Sequence, residues 1–276
     1  MRIRSLFLSL LPAVLSLPAF AAIGPWVSAD KVRARLVAAT PAADGTLEGA
    51  IEIELAPGWK TYWRSPGDAG VPPRFDFSAS TNAEAAAVEY PAPERYDDGY
   101  AASNIYRDRV VLPVRFTVAD KADPVTLDVK MDIGICEEIC IPVHMTTSLD
   151  VGNAGHDGAA STLIAAARAA LPGPGKPGAL ELLSLKRSGG SDQKPEFEAR
   201  YHASGKEALF VETPGDWFAD PPKAAEGEGG ARVFRFAVDR RTAAGTIAGT
   251  EIRLTLTGEA GATSRTFTLD AGDAKP

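Results

Sequence analysis

Three stretches of the chain alternate apolar and polar residues with a period of two. Ile51, Ile53 and Leu55 are separated by Glu52 and Glu54. Val110, Leu112, Val114, Phe116 and Val118 are separated by Val111, Pro113, Arg115 and Thr117, and Val125, Leu127, Val129 and Met131 by Thr126, Asp128 and Lys130. Successive side chains of a strand point to opposite faces, so each run predicts a strand with one face in a core. Gly, Pro and Asp clusters separate the runs, and no strong 3.6-residue period interrupts them, which predicts an antiparallel sandwich. The texture changes over 157–171, where Leu163, Ile164, Ala167 and Leu171 recur at helical spacing among alanines. Gly173-Pro174-Gly175-Lys176-Pro177-Gly178 then stops any helix. Beyond it, Phe197/Ala199/Tyr201, Leu209/Val211, Val233 to Val238, Ile252/Leu254/Leu256 and Phe267/Leu269 return to the β pattern. The expected fold class is all-β: a sandwich over 22–152, a helix and linker over 153–178, and a second small β-sandwich over 179–276.

The first residues do not belong to that fold. Met1-Arg2-Ile3-Arg4 is a short basic segment, Leu6 to Leu17 is an apolar run, and Ala19-Phe20-Ala21 offers the small-x-small pattern of a cleavage site. Residues 1–21 therefore predict a signal peptide, with the mature chain soluble in the periplasm and without a membrane span. The run is shorter than the about 20 residues that cross a bilayer. The chain carries 29 Lys+Arg against 36 Asp+Glu, a formal charge of −7. An acidic surface repels phosphates and anionic lipids, which argues against nucleic acid or a membrane surface as a partner.

The chain has two cysteines, Cys136 and Cys140, in Gly134-Ile135-Cys136-Glu137-Glu138-Ile139-Cys140-Ile141-Pro142. In an oxidising compartment they can pair, yet a bridge over so short a loop restricts the unfolded chain little. Such a bridge is better suited to opening and closing than to stapling a fold. If Glu137-Glu138-Ile139 is a hairpin loop, Cys136 and Cys140 become direct cross-strand neighbours at a Cα separation a disulfide can span. Ile135 then faces Ile141 and Ile133 faces Val143, while both cysteines share the other face with Asp132 and His144. The loop lacks the glycine such hairpins favour, so a short helical turn is an alternative, and Pro142 suggests an edge or bulged position. Glu137 and Glu138 disfavour a thiolate, and no Lys or Arg stands within the motif to offset them. Two other readings of the pair stay open: a static structural disulfide, and a Cu(I) site built from Cys136, Cys140, His144 and Met145, whose soft donors suit that ion. The second half shows no chemistry of its own, its one histidine, His202, standing alone.

Three stretches resemble the N-terminal periplasmic domain of the thiol:disulfide interchange protein DsbD and its ScsB-type relatives. They are Gly58-Trp59-Lys60-Thr61-Tyr62-Trp63-Arg64, the run Ile105-Tyr106-Arg107-Asp108-Arg109-Val110-Val111-Leu112-Pro113-Val114, and Cys136 to Pro142. Together they cover roughly Ile23 to Val151. The segment Trp63 to Asp68 and the second β region look closer to the ScsB branch. The cysteine spacer is shorter here than in the best-known DsbD members.

The resemblance implies an immunoglobulin-like domain that relays reducing equivalents through its dithiol, with no cofactor. The implied partners are periplasmic thioredoxin-like proteins, of disulfide isomerase or cytochrome c maturation type, and a membrane thiol reductase. Cys140 maps onto the cysteine that partners attack and Cys136 onto the resolving one. Tyr62 maps onto an aromatic lining the site, and Asp97, Asp98 and Tyr100 onto a cap loop that gates the disulfide, with Gly99 where relatives carry the shielding aromatic. Tyr62, Trp59 and Trp63 are equally readable as sandwich core, and Asp97 and Asp98 as turn residues. Arg107 and Arg109 read as solvent-facing strand charges. The chain is expected to hold neither a membrane electron conduit nor a thioredoxin-like domain, so either separate proteins supply the electrons or this form does something else with its thiols.

Overall fold

The computed structural model describes residues 23–152, 158–215, 217–241, 243 and 245–270. The expected signal peptide, 1–21, lies outside them. Eleven strands precede the helix: β1 (Val27–Ala29), β2 (Val32–Ala38), β3 (Thr46–Leu55), β4 (Lys60–Gly67), β5 (Arg74–Asp76), β6 (Ala83–Val88), β7 (Glu94–Asp97), β8 (Ala102–Arg107), β9 (Arg109–Val118), β10 (Val125–Cys136) and β11 (Cys140–Val151). They form two antiparallel sheets, ordered β1-β2-β3-β9-β6 and β11-β10-β4-β8-β7, with β5 added to β10. The alternating residues read from the sequence are the ones packed between the sheets: Ile51, Ile53, Leu112, Val114, Phe116, Leu127, Val129 and Met131 are all nearly inaccessible. This is the immunoglobulin-like sandwich expected.

The outer face of the first sheet is less polar and less open than alternation suggests. Helix α1 (Gly158–Ala169) lays Ala160 and Ile164 on Val37 and Ala50. Its Arg168 pairs with Glu48 and Glu89. The helix is thus packed against the sandwich as well as linking it to the second half of the chain. Glu52, on the nominally polar face, is only 1% exposed and sits between the Arg35 and Arg109 guanidiniums, each 2.6 Å from it. The buried carboxylate is thus paired on both sides rather than left without a partner.

Past the helix lie β12 (Glu181–Gly190), β13 (Pro195–His202), β14 (Ala208–Glu212), β15 (Phe218–Ala219), β16 (Lys223–Glu226), β17 (Arg232–Asp239), β18 (Glu251–Gly258) and β19 (Gly261–Thr268). One sheet runs β12-β13-β17-β15, with β16 also on β17, and the other β14-β18-β19. Their facing residues, among them Phe197, Tyr201, Phe236, Leu254 and Leu256, build a second core. β12 escaped the period-two pattern because two register shifts interrupt its pairing with β13.

Two residues of β4 tie the halves together. The Trp63 indole is fully buried and meets the Phe210 ring edge-on, centroids 5.8 Å apart. Arg64 makes a bidentate pair with Glu212, at 2.6 and 2.9 Å. Planar two-point geometry of this kind is the strong form of an ion pair. Arg95 adds a bond to the Leu209 carbonyl at 2.7 Å.

Candidate functional site: a half-exposed disulfide on a sheet edge

β10 and β11 form one long hairpin in the register expected, with Ile133 opposite Val143, Ile135 opposite Ile141 and Cys136 opposite Cys140. Glu137-Glu138-Ile139 is its loop, closed by a Glu137 N–H to Ile139 carbonyl bond of 3.3 Å. The helical-turn alternative is not adopted, because the hairpin keeps both isoleucines in the core. β11 is an edge strand, which accommodates Pro142 opposite Gly134. Cys136 and Cys140 are disulfide-bonded, with Cα atoms 4.2 Å apart. The two sulfurs differ in access: Cys136 is 2% exposed and Cys140 lies on the surface.

Tyr62 lies over the bridge. Its hydroxyl is 2.8 Å from Cys136 Sγ and 3.2 Å from Cys140 Sγ. A disulfide has no S–H, so the tyrosine is the donor in both contacts. Burial raises the Tyr62 pKa above its ordinary 10.0, and the Asp98 charge raises it further, so the proton stays on the oxygen at neutral pH. Two glycines hold the ring in place. A Cβ on Gly70 would come within 2.6 Å of one ring edge, and one on Gly134 within 3.2 Å of the other. Gly70 also takes φ +144, a conformation side chains resist.

β4 supplies a second polar group. Lys60 is the Cα partner of Cys136 across β4–β10, and its Nζ donates to the Glu137 carbonyl at 2.9 Å. The ammonium sits 4.5 Å above the Tyr96 ring. Burial holds its pKa below the ordinary 10.5, Arg107 acts in the same direction, and Asp98 and Glu137 oppose them. Thr61, facing the other way, bonds the Gly134 carbonyl at 2.8 Å and fixes β4 against β10.

The β7–β8 turn carries the residues expected to cap the site. Asp97 Oδ1 accepts the Gly99 N–H, and Asp98 Oδ1 accepts the N–H groups of Tyr100 and Ala101 at 2.9 Å. These bonds hold the Asp98 carboxyl below its ordinary value. Both acids therefore build the turn, and Asp98 also acts on Lys60 and Tyr62 through its charge. Gly99 takes φ +86, as such a turn requires. The Tyr100 ring is 99% exposed. A ring lying on a sulfur would lose part of its own surface, so Tyr100 does not shield the bridge in this state.

Residues 31–151 match the family described as thiol:disulfide interchange protein DsbD, N-terminal. This segment, a little under half of the chain, resembles a DsbD N-terminal domain. Thiol–disulfide exchange is the chemistry of that family. Among solved structures, the N-terminal periplasmic domain of ScsB from Proteus mirabilis is similar in fold, with TM-score 0.72 at 21% identity over 90% of this chain and 98% of that one. That match extends the likeness past the DsbD-type domain into the second half. The conserved domain protein from Bacillus anthracis, with 91% of each chain covered, reaches only TM-score 0.23 at 9% identity, too low to bear on the fold. No curated protein matches the chain.

Two expectations for the DsbD-type domain need correcting. The Cu(I) set Cys136, Cys140, His144 and Met145 does not converge. His144 and Met145 are neighbours on β11 and so point to opposite faces. Met145 is 6% exposed and packs in the core, whereas the His144 imidazole is on the surface, 2.5 Å from Asp132. The second correction concerns charge. The cysteine motif itself holds no cation, but the sheet brings Lys60 beside Cys136 and Arg107 beside Lys60.

Lys60, Tyr96, Gly70 and Gly134 are site residues that sequence reasoning passed over. Lys60 shares the face of Tyr62 by its two-residue spacing, a signal available from sequence. Its contact with Cys136 required the β4–β10 pairing, which no local pattern announces. An apolar groove of about 600 Å³ also opens beside Cys140, lined by Tyr62, Gly70, Val71, Ile141 and Pro142. Val71 and Ile139, 60% and 69% exposed, stand near it. No helix among the described residues is long and apolar enough to cross a membrane.

Proposed function

We propose that this chain is a periplasmic thiol–disulfide exchange protein that relays reducing equivalents through Cys136 and Cys140 to partner redox proteins. The observation that carries the reading is the asymmetry of the bridge, an exposed Cys140 joined to a buried Cys136 within a segment that resembles a DsbD N-terminal domain. An incoming thiolate of a thioredoxin-like donor, itself kept reduced by a membrane thiol reductase, attacks Cys140 Sγ. The S–S bond breaks, its electron pair leaves with Cys136 Sγ, and a donor–Cys140 mixed disulfide forms. A second donor thiolate then displaces Cys140, so the donor is oxidised by two electrons and the chain becomes a dithiol after taking up two protons. The reverse sequence reduces an acceptor: Cys140 attacks the acceptor disulfide and Cys136 resolves the product. No cofactor is needed, since the dithiol carries the electrons.

Tyr62 donates to the sulfur that becomes a thiolate, which lowers the cost of that charge. The β7–β8 turn of Asp97, Asp98 and Tyr100, which leaves the bridge uncovered in this structure, gates access when it closes, and the groove beside Cys140 receives the partner's active-site surface. Residues 179–276 serve as a spacing or docking unit behind the redox domain of 22–152. Export through the 1–21 leader places the protein with such partners, as the periplasmic origin of the ScsB relative supports.

Cys136→Ser leaves Cys140 able to capture a partner that cannot then be resolved. Expressed with its leader, this variant should accumulate mixed disulfides visible on non-reducing gels, and Cys140→Ser should accumulate none. Absence of any thiol-dependent adduct with Cys136→Ser, at native expression, would overturn the relay reading.

A further inference from the structure

We infer that Lys60 is the electrostatic partner of the Cys136 sulfur, stabilising the thiolate that leaves when Cys140 is attacked. The inference rests on the exchange reading of the disulfide and adds a residue to its machinery. Its basis is a row of Cα partners across four strands: Cys140 opposite Cys136, Cys136 opposite Lys60, and Lys60 opposite Arg107. Directly opposed residues project to the same face with their Cβ atoms about 5 Å apart. The buried sulfur is therefore bordered by the exposed sulfur on one side and by a cation on the other.

Three features suit Lys60 to this role. Its Nζ is tethered to the Glu137 carbonyl, one residue from Cys136, so the charge is held near the sulfur. The ammonium packs on Tyr96, and the residue is 7% exposed, which limits the screening of the charge by water. Among the described residues no carboxylate ion-pairs with Lys60, while Arg107 is engaged by Glu94 at 3.3 Å. The charged and titratable groups facing Lys60 are Arg107 from β8, Asp98 from the β7–β8 turn, Glu137 from the hairpin loop, and the Tyr62 and Tyr96 rings. In the oxidised state a cation beside an uncharged disulfide gains little. Once Cys140 is attacked, the electron pair of the broken bond resides on Cys136 Sγ, and the ammonium has the anion it lacked. A leaving thiol of lower pKa departs faster. The acids of the loop, which on their own oppose a thiolate, are thereby offset at the one sulfur that must carry the charge.

Two measurements on the full mature chain test this. The first is the rate at which dithiothreitol reduces the bridge, in wild type, Lys60→Met and Lys60→Arg. The second is the pH dependence of Cys136 alkylation by iodoacetamide in a Cys140→Ser background, alone and combined with Lys60→Met or Lys60→Arg. Methionine keeps an apolar stem and removes the charge. It should slow reduction by roughly three- to tenfold and raise the Cys136 pKa by about one unit, and Lys60→Arg should rescue most of both. Unchanged rate and pKa in Lys60→Met would overturn the inference. Equal slowing by both substitutions with no pKa change would also overturn it, marking Lys60 as a packing residue. Should the wild-type bridge resist dithiothreitol altogether, the exchange reading fails, and the alkylation titration still decides the Lys60–Cys136 coupling.

Discussion

Tyr62 and Trp63 are consecutive residues of one strand that serve opposite halves of the molecule: the Tyr62 hydroxyl donates to both sulfurs of the bridge, and the Trp63 indole meets Phe210 of the second half. The alternation of a strand makes this possible. One face of β4 displays the chemistry, and the other anchors the strand through Trp63 in the core. Arg64 continues the anchor through its bidentate pair with Glu212. The second half, which carries no redox group of its own, is therefore part of what holds Tyr62 over the disulfide.

Tyr62→Phe removes the donor and keeps the ring between Gly70 and Gly134. A hydrogen bond to a charged group is worth about 1.5–3 kcal/mol, and about 1.4 kcal/mol is a factor of ten. Reduction of the bridge by dithiothreitol should slow by roughly ten- to a hundredfold, followed by quenched thiol counting. An unchanged rate would show that the hydroxyl does not follow the leaving sulfur.

Trp63→Ala should destabilise the chain by about 3–5 kcal/mol, the usual loss for a large buried aromatic, seen as a lower urea midpoint. Phe210→Ala should fall in the same range. The double variant should lose less than the sum, because both changes delete one contact. Strict additivity would mean that the two rings are energetically independent.

Asp98 makes the cap turn sensitive to acid. Its folded pKa is depressed, chiefly by the N–H groups of Ala101 and Tyr100. A depressed carboxyl contributes fully above its unfolded value, here 3.8, and the contribution disappears as pH falls through the lower folded value. Protection of the Tyr100 and Ala101 amides, as exchange relative to their intrinsic rates, should persist down to that region and fall below it. Asp98→Ala should show reduced protection at all pH values, and a wild-type profile for this variant would remove Asp98 from the turn.

Met145→Ala should destabilise the protein by about 2–5 kcal/mol as a core truncation, whereas His144→Ala, at a surface position, should leave stability nearly unaltered. Neither substitution should change the stoichiometry of Cu(I) taken up by the reduced dithiol, measured with a chromogenic chelator. Loss of one equivalent in both would restore the four-residue metal site.

The parts legible in the sequence share one property: they are set by neighbours a few residues away. Alternation placed Ile51, Ile53, Val114 and Leu127 on core faces, helical spacing marked Ile164 and Ala167, and the three-residue spacer with its flanking isoleucines offered a hairpin with Cys136 opposite Cys140 beside a helical-turn alternative. A strand or hairpin reads out its own side-chain parity, so these inferences needed no knowledge of the rest of the chain. Tertiary structure decided what parity leaves open. It paired β4 with β10, bringing Lys60 to Cys136 and Tyr62 over both sulfurs, and it turned Met145 into the core and away from His144. It also set α1 on the outer sheet face above Ala50 and joined Arg64 to Glu212. Those contacts join residues far apart in sequence, and they are chosen by which faces can be buried together, a property of the whole chain that no local pattern contains.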